Sequence, residues 1–309
     1  MFSAGRYQHI SNGIKLLQWL GLMGLLTIIL CVVFVYSPDH TSTSALKWLQ
    51  FSQTLAVFLL PAFMVAYLWS ERPLEWLHLS CSKNTRTADA VASRWMKFGF
   101  PVLLMVVAMP GINLLGYWNM QLQLPEWLSP FEQWLQQQEE AAAVLTERFL
   151  RVRGARALII NIGLMALLPA VAEEITFRGV LLNLCSQDET LSMTKRQHVA
   201  IWLVAIIFSA IHMQFYGFVP RMLLGALFGY MLVWTGTLWV PILMHFVNNA
   251  IAVVGYYIVY QKNIDPSTLD AIGSGDTLWL GVLSVVLTVL GCYLFRRSRT
   301  ISSASSRMS

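Results

Sequence analysis

Long apolar stretches, separated by shorter polar segments, dominate the hydrophobic pattern of this chain. Eight of these stretches are long enough to cross a bilayer as helices, which takes about 17 residues or more. Their limits are 14–36, 48–69, 96–118, 157–185, 198–216, 218–235, 238–260 and 277–296. The pattern predicts an all-α polytopic membrane protein, a bundle of about eight transmembrane helices that forms a single membrane domain over residues 1–309.

Two local signals predict how the sixth and seventh helices pack. The tight turn Thr235-Gly-Thr237 joins them, so they should form a helical hairpin. Gly225 and Gly229 are spaced as Gly-x-x-x-Gly on the sixth helix, a pattern that lets a neighbouring helix approach closely. Prolines within the apolar stretches predict kinks that neighbouring helices must accommodate.

The loop Asn119–Arg156 is the main segment outside the membrane in this interpretation. Its apolar residues recur with helical spacing at Phe131, Trp134, Leu135, Ala142, Leu145 and Phe149. The spacing predicts one or two amphipathic helices at the outer interface, with Trp127 and Trp134 as anchors. We interpret the loop as a packing collar over the bundle, with a substrate gate as the alternative.

Two further segments are predicted to lie outside the membrane. Residues 70–93, which include Lys83–Arg86, should be a solvated connector, and residues 299–309 should be a disordered tail.

Composition and charge agree with a membrane protein and set its orientation. Of the 309 residues, 56% are hydrophobic and only 12% are charged, about half the usual charged share of a soluble domain. If both termini are cytoplasmic, 13 of the 21 Lys and Arg residues are inside and 7 outside, with Arg178 left out as buried. We therefore expect a bacterial inner-membrane protein in contact with lipid. No basic-aromatic run indicates nucleic-acid binding, and the four cysteines show no disulfide or metal spacing.

The fourth apolar stretch carries two carboxylates and a guanidinium where charge is costly. Glu174 and Arg178 are four residues apart, so they share a helix face and can form an ion pair. Glu173 is rotated by about 100° from its neighbour, so the same arginine cannot easily neutralise both. The free carboxylate would suit a general base. The alternative is that both glutamates pair with Arg178 and only hold helices together.

Three further polar residues lie on two later stretches. His212 follows Phe208 by four residues, about 14 residues into the fifth predicted helix. His245 and Asn249 are one turn apart on the seventh. Counted from the cytoplasmic ends, these residues and Glu173 fall within ~11 Å of one another along the membrane normal. We expect them to converge on one pocket.

Taken in order, the three motifs resemble the CPBP family of intramembrane proteases, which includes the CAAX prenyl endopeptidases and bacterial bacteriocin-immunity proteins. The motifs are Glu-Glu-x-x-x-Arg at Glu173, Phe-x-x-x-His at Phe208 and His-x-x-x-Asn at His245. The resemblance covers residues 157–260, the expected catalytic core. It implies a metal-independent endopeptidase without a cofactor that acts on a membrane-associated peptide or protein.

The same resemblance implies a role for each motif residue. Glu173 would be the general base that activates water together with His212, while His245 and Asn249 would stabilise the oxyanion. Glu174 and Arg178, with Phe208 beside them, would fix the helix and the orientation of the base.

Other functions remain open on the sequence alone. Glu173, His212 and His245 would make a legitimate catalytic zinc set, although no His-Glu-x-x-His is present. A non-catalytic scaffold or immunity protein would keep an intact but unused site. A transporter is disfavoured because no internal repeat is found. The substrate and the oligomeric state are not encoded in any motif.

Overall fold

The computed structural model describes residues 4–80, 94–186 and 193–305 of this chain. Part of the predicted solvated connector, with Lys83–Arg86 and Cys81, lies outside the described residues. Within the described ranges the secondary structure is entirely helical, which confirms the predicted all-α class.

Eleven helices can be named along the described chain. They are α1 (Asn12–Val35), α2 (Thr43–Trp69), α3 (Pro73–Trp76), α4 (Trp95–Asn119), α5 (Ser129–Leu150), α6 (Ala155–Cys185), α7 (Met193–Ala210), α8 (Phe218–Thr235), α9 (Trp239–Gln261), α10 (Ser267–Asp270) and α11 (Leu278–Ser305). Short 3₁₀ turns at Glu126–Leu128, Phe215–Gly217 and Gly275–Thr277 lead into α5, α8 and α11.

Seven of the described helical stretches are long and apolar enough to cross a membrane, so the chain is a multi-pass membrane protein. The number is one short of the predicted eight because α7 is not among them. This helix has 18 residues, and its first turns contain polar residues at Lys195, Arg196 and His198. It also ends at Ala210 rather than at the predicted residue 216, so His212 lies in the turn that follows and not inside the helix.

The predicted hairpin of α8 and α9 is confirmed. α8 ends at Thr235, and Gly236 takes the left-handed conformation, with φ of 67°, that closes many helix C-termini. The glycine pattern also has the predicted effect. A Cβ built on Gly225 would lie 3.3 Å from the Cα of Ala205 on α7, and one on Gly229 would lie 3.0 Å from the Ile201 side chain.

The loop before α6 forms a single long amphipathic helix, α5, where one or two were expected. Leu135, Phe149 and Leu150 are buried against the bundle, whereas Trp127 is 78% exposed. α11 continues to Ser305, so most of the segment expected to be a disordered tail is helical.

Wide π-helical turns occur in three of the long helices, and each ends two residues before a proline. They span Thr54–Leu59 in α2, Trp95–Gly99 in α4 and Ile162–Leu167 in α6, and the prolines follow at Pro61, Pro101 and Pro169. A proline lacks the backbone N–H, and its ring clashes with the carbonyl four residues earlier, so a wider turn relieves both conflicts. A second π turn in α6, Ile175–Leu181, comes directly after Glu173 and Glu174. The two carboxylates therefore lie on a short α-helical segment between two wide turns.

Candidate active site

Glu174 is the anchor of a fully buried polar network. Its Oε1 accepts a hydrogen bond from Nη1 of Arg178 at 2.8 Å, the ion pair that the four-residue spacing predicts. The second Arg178 nitrogen, Nη2, donates to the carbonyl of Gly225 at 2.9 Å. The guanidinium also lies over the ring of Phe208, with 4.5 Å between Cζ and the ring centroid. The pair thus ties α6 to α7 and α8.

His245 is the second partner of Glu174. Its Nδ1 lies 2.9 Å from the same carboxylate oxygen, a contact that the sequence did not predict. An ionised carboxylate only accepts hydrogen bonds, so Nδ1 carries the proton and Nε2 is directed away from Glu174. That Nε2 lies 3.8 Å from Oε2 of Glu173. The ring stacks on Phe228 at a centroid distance of 5.2 Å, which fixes its orientation further.

His212 approaches Glu173 from the turn after α7. Its Nδ1 lies 2.7 Å from the carbonyl of Phe208, so this nitrogen is the donor and Nε2 is again left free. The distance from Nε2 to Oε2 of Glu173 is 4.0 Å. Phe208 therefore contributes its carbonyl to His212 and its ring to the edge of the same imidazole.

Glu173 has none of these close partners. Its side chain is 21% exposed, against 0% for Glu174, and both nearby imidazole nitrogens lie beyond hydrogen-bonding distance. It lines a cavity of about 490 Å³ together with His212, His245 and Asn249. The four residues expected to be catalytic therefore line one cavity, and the carboxylate of Glu173 faces into it while that of Glu174 is held beside it.

Asn249 lies one turn after His245 on α9 and faces the same cavity. Its Oδ1 accepts a hydrogen bond from Nδ2 of Asn248 at 3.1 Å. Among the residues that the structure describes, no acceptor is recorded for the Nδ2 of Asn249, so this amide can donate into the cavity.

Sequence reasoning missed several residues that line the cavity: Thr146, Arg221, Asn248 and Tyr256. Arg221 is the most consequential, because it adds a positive charge to a mostly apolar wall. Its Nη2 donates to Oε1 of Gln214 at 2.6 Å. The sequence signal for it is a basic residue inside the sixth apolar stretch, one turn before Gly225 on α8.

Within residues 4–80, 94–186 and 193–305, no group of three or more His, Cys, Asp or Glu side chains is placed to hold a metal ion. Glu173 and the two histidines, the zinc ligands considered from the sequence, line one cavity. Their side chains are not placed as a group that could hold a metal ion.

The fold and this cavity define a polytopic α-helical membrane protein with a polar Glu, His and Asn site enclosed by its helices. Part of the chain is similar to a known protein family. Residues 155–251 match the family described as type II CAAX prenyl endopeptidase Rce1-like, a range that contains all three motifs. This match confirms the family resemblance predicted from those motifs.

A curated relative gives a further, partial match. The chain is 33% identical over 91 residues to the uncharacterized protein YpbD of Bacillus subtilis strain 168. The match covers 28% of this chain and 41% of that protein, so the chain spans less than half of this relative. No solved structure gives a significant match.

Proposed function

We propose that this protein is a CAAX-protease-like intramembrane endopeptidase that hydrolyses a peptide bond in a membrane-associated peptide or protein. The observation that carries the proposal is the contrast between the two adjacent glutamates. Glu174 is held by an arginine and a histidine, whereas Glu173 faces the cavity with two imidazole nitrogens at 3.8 and 4.0 Å. A site built only to hold helices together would have paired both carboxylates.

In the proposed reaction, Glu173 acts as the general base. It takes a proton from a water molecule, whose oxygen attacks the scissile carbonyl carbon to give a tetrahedral intermediate. The C–N bond then breaks as the proton passes to the departing amine, which gives a new amino terminus and a carboxylic acid that loses its own proton to water. The unprotonated Nε2 of His212, 4.0 Å from Oε2 of Glu173, can accept a hydrogen bond from the attacking water molecule and so help to remove its proton.

Asn249 and His245 supply the oxyanion site. The Asn249 amide is a neutral donor that needs no change of protonation state. His245 can donate from Nε2 only when that nitrogen also carries a proton taken up from water, while the carboxylate of Glu174 holds Nδ1 and fixes the ring. In this arrangement Glu174 and Arg178 position His245 and do not touch the substrate.

The proposed chemistry needs no metal ion, because a carboxylate base covers the attack and the Asn249 and His245 donors cover the developing charge. Full hydrolysis after exhaustive chelation is the expected result. Loss of hydrolysis on chelation and its return with Zn²⁺ would favour the zinc alternative.

We also propose that the protein resides in the bacterial inner membrane with both termini in the cytoplasm, as the distribution of Lys and Arg favours.

The experiment that tests the proposed activity is a comparative proteomic analysis of membrane fractions from wild-type cells and Glu173→Ala cells. We expect at least one membrane-associated polypeptide to accumulate uncut in the variant. If no polypeptide accumulates, and a Glu173→Ala, His212→Ala double variant with normal expression keeps the wild-type phenotype, the protein is a non-catalytic scaffold or immunity protein instead.

A further inference from the structure

A second, larger cavity lies between α2 and α6, separate from the site just described. Its volume is about 800 Å³, and it is mostly apolar. It is lined by Ser44, Lys47, Trp48 and Phe51 from α2 and by Ala157, Ile160, Gly163, Leu164, Leu167, Leu168 and Val171 from α6. We call it the α2–α6 groove. It shares no lining residue with the cavity of Glu173.

The groove has a polar end and an apolar end. Ser44 and Lys47 lie near the start of α2, and Ala157 lies near the start of α6, so both helices begin at the same end of the groove. Leu167, Leu168 and Val171 line the other end. From Ala157 to Val171 the helix rises by ~21 Å, enough to follow an acyl chain through one leaflet of a ~30 Å hydrocarbon core.

Lys47 is the cation that lines the polar end, and Arg156 precedes the lining residue Ala157 on α6. Nζ of Lys47 donates to Oδ1 of Asn161 at 2.6 Å, which uses one of its three protons. Asn161 is in turn fixed by a bond from its Nδ2 to the carbonyl of Phe149 at 2.7 Å. Arg156 is exposed and stands one turn before Ile160, on the same face of α6. The positive ends of two helix dipoles add to this field.

We propose that the α2–α6 groove binds one anionic phospholipid, with its phosphate at Lys47 and Arg156 and one acyl chain along α6. The pairing of a cationic mouth with an apolar channel of leaflet depth matches the two halves of such a lipid. A zwitterionic lipid would fit the channel but would gain less from the two cations. The proposal does not depend on the proposed protease activity, and its test does not use that activity.

The test is native mass spectrometry of the full-length protein released from bilayers that contain equal amounts of phosphatidylglycerol and phosphatidylcholine. We expect one retained phosphatidylglycerol on the wild type, in clear preference to phosphatidylcholine. Lys47→Gln should lower that preference ~5-fold, and so should Arg156→Gln, since each basic residue contributes about that factor. The exposed Arg156 keeps the test decisive if Lys47→Gln fails to fold.

Two matched pairs of variants test the binding of the lipid headgroup and of the acyl chain separately. Lys262→Gln removes a cation at the same end of the bundle, where the neighbouring Gln261 contacts the carbonyl of Val152, but outside the groove. It should keep the wild-type preference. Gly163→Leu fills the groove at a position where a Cβ meets nothing within 4 Å, and it should release the lipid. Gly116→Leu, equally unobstructed but on α4, should not.

Equal retention of the two lipids by the wild type would overturn the proposal. So would equal losses in Lys47→Gln and Lys262→Gln, or wild-type retention in Gly163→Leu.

Discussion

Two neighbouring glutamates of this chain have opposite surroundings, and that difference is set by helix geometry. A rotation of about 100° between consecutive residues aims Glu174 at Arg178 and His245 in the packed interior and Glu173 into the cavity. A buried carboxylate with two charged or polar partners is fixed, whereas a carboxylate without them can exchange a proton. Two adjacent residues of one helical turn therefore have different roles, a structural one for Glu174 and a chemical one for Glu173.

The structural role of Glu174 can be tested through stability. Glu174→Gln leaves the guanidinium of Arg178 buried without its counter-charge, and removing one partner of a buried pair typically costs about 3–5 kcal/mol. We expect a loss of that size in the free energy of unfolding, measured by denaturant titration in mixed micelles. Glu147→Gln is the matched control, because its i,i+4 pair with Arg151 is exposed and should contribute less than about 1 kcal/mol. Equal losses in the two variants would contradict this role.

The oxyanion role of Asn249 predicts a change in kcat rather than in KM. Asn249→Ala removes a donor that acts on charge present only in the transition state, so kcat should fall about 10²–10³-fold at nearly constant KM. Steady-state hydrolysis of a substrate peptide by the purified protein measures both constants. Thr146→Ala also lies in the same cavity and should have a much smaller effect on kcat. A rise in KM alone would assign Asn249 to substrate binding.

Spacing along one helix predicted only part of the site. The Glu174–Arg178 pair and the shared face of His245 and Asn249 follow directly from i and i+4 positions. The bond from His245 to Glu174 joins residues 71 positions apart, so it depends on how α9 packs on α6. The placement of His212 beyond the end of α7 was likewise not readable, because the apolar stretch continues past Ala210.

At the scale of helices, the contact of α7 with α8 sets the geometry behind the site. Gly225 lets the two helices meet while its carbonyl accepts a bond from Arg178. A Cβ at this position would lie 3.2 Å from both Nη2 of Arg178 and the ring of Phe208. The same small residue therefore serves helix packing and the buried ion pair.

Gly225→Leu should accordingly destabilise the protein by at least about 1–3 kcal/mol, the usual cost of overpacking a close contact. The displaced Phe208 and Arg178 should also lower hydrolytic activity. Gly116→Leu, on a helix surface where a Cβ meets nothing within 4 Å, should change neither property. Denaturant titration and activity assays on both variants decide the matter, and wild-type stability in Gly225→Leu would refute the packing argument.

The order of the helices and the hairpin turn were predictable because apolar length and a single Gly236 specify them locally. The π turns were not, since prolines in the sequence indicate a conflict without showing how the backbone relieves it. The course of α5 and the extension of α11 to Ser305 depend on packing partners and on weak local preferences, which hydrophobic periodicity does not resolve.

At the scale of the whole molecule, the sides of the membrane on which the two termini lie show whether α7 crosses it. This helix exposes Val199, Leu203 and Ile206 at 57%, 45% and 44%, an apolar surface suited to lipid. We therefore expect α7 to cross the membrane with the seven longer stretches and to place both termini on one side. Reporter fusions at residue 1 and residue 309 should both give a cytoplasmic signal. Signals from opposite sides would mean an odd number of crossings.

The central claim is that the carboxylate of Glu173, which faces the cavity, activates water for peptide hydrolysis. The most direct measurement compares wild type, Glu173→Gln and Glu147→Gln, reconstituted in vesicles, on a peptide that spans the cleavage site found by proteomics. We predict that Glu173→Gln lowers kcat by at least about 100-fold without loss of folding stability, because it removes only the base. Glu147→Gln should cleave at the wild-type rate. Hydrolysis by Glu173→Gln at the wild-type rate would contradict the account.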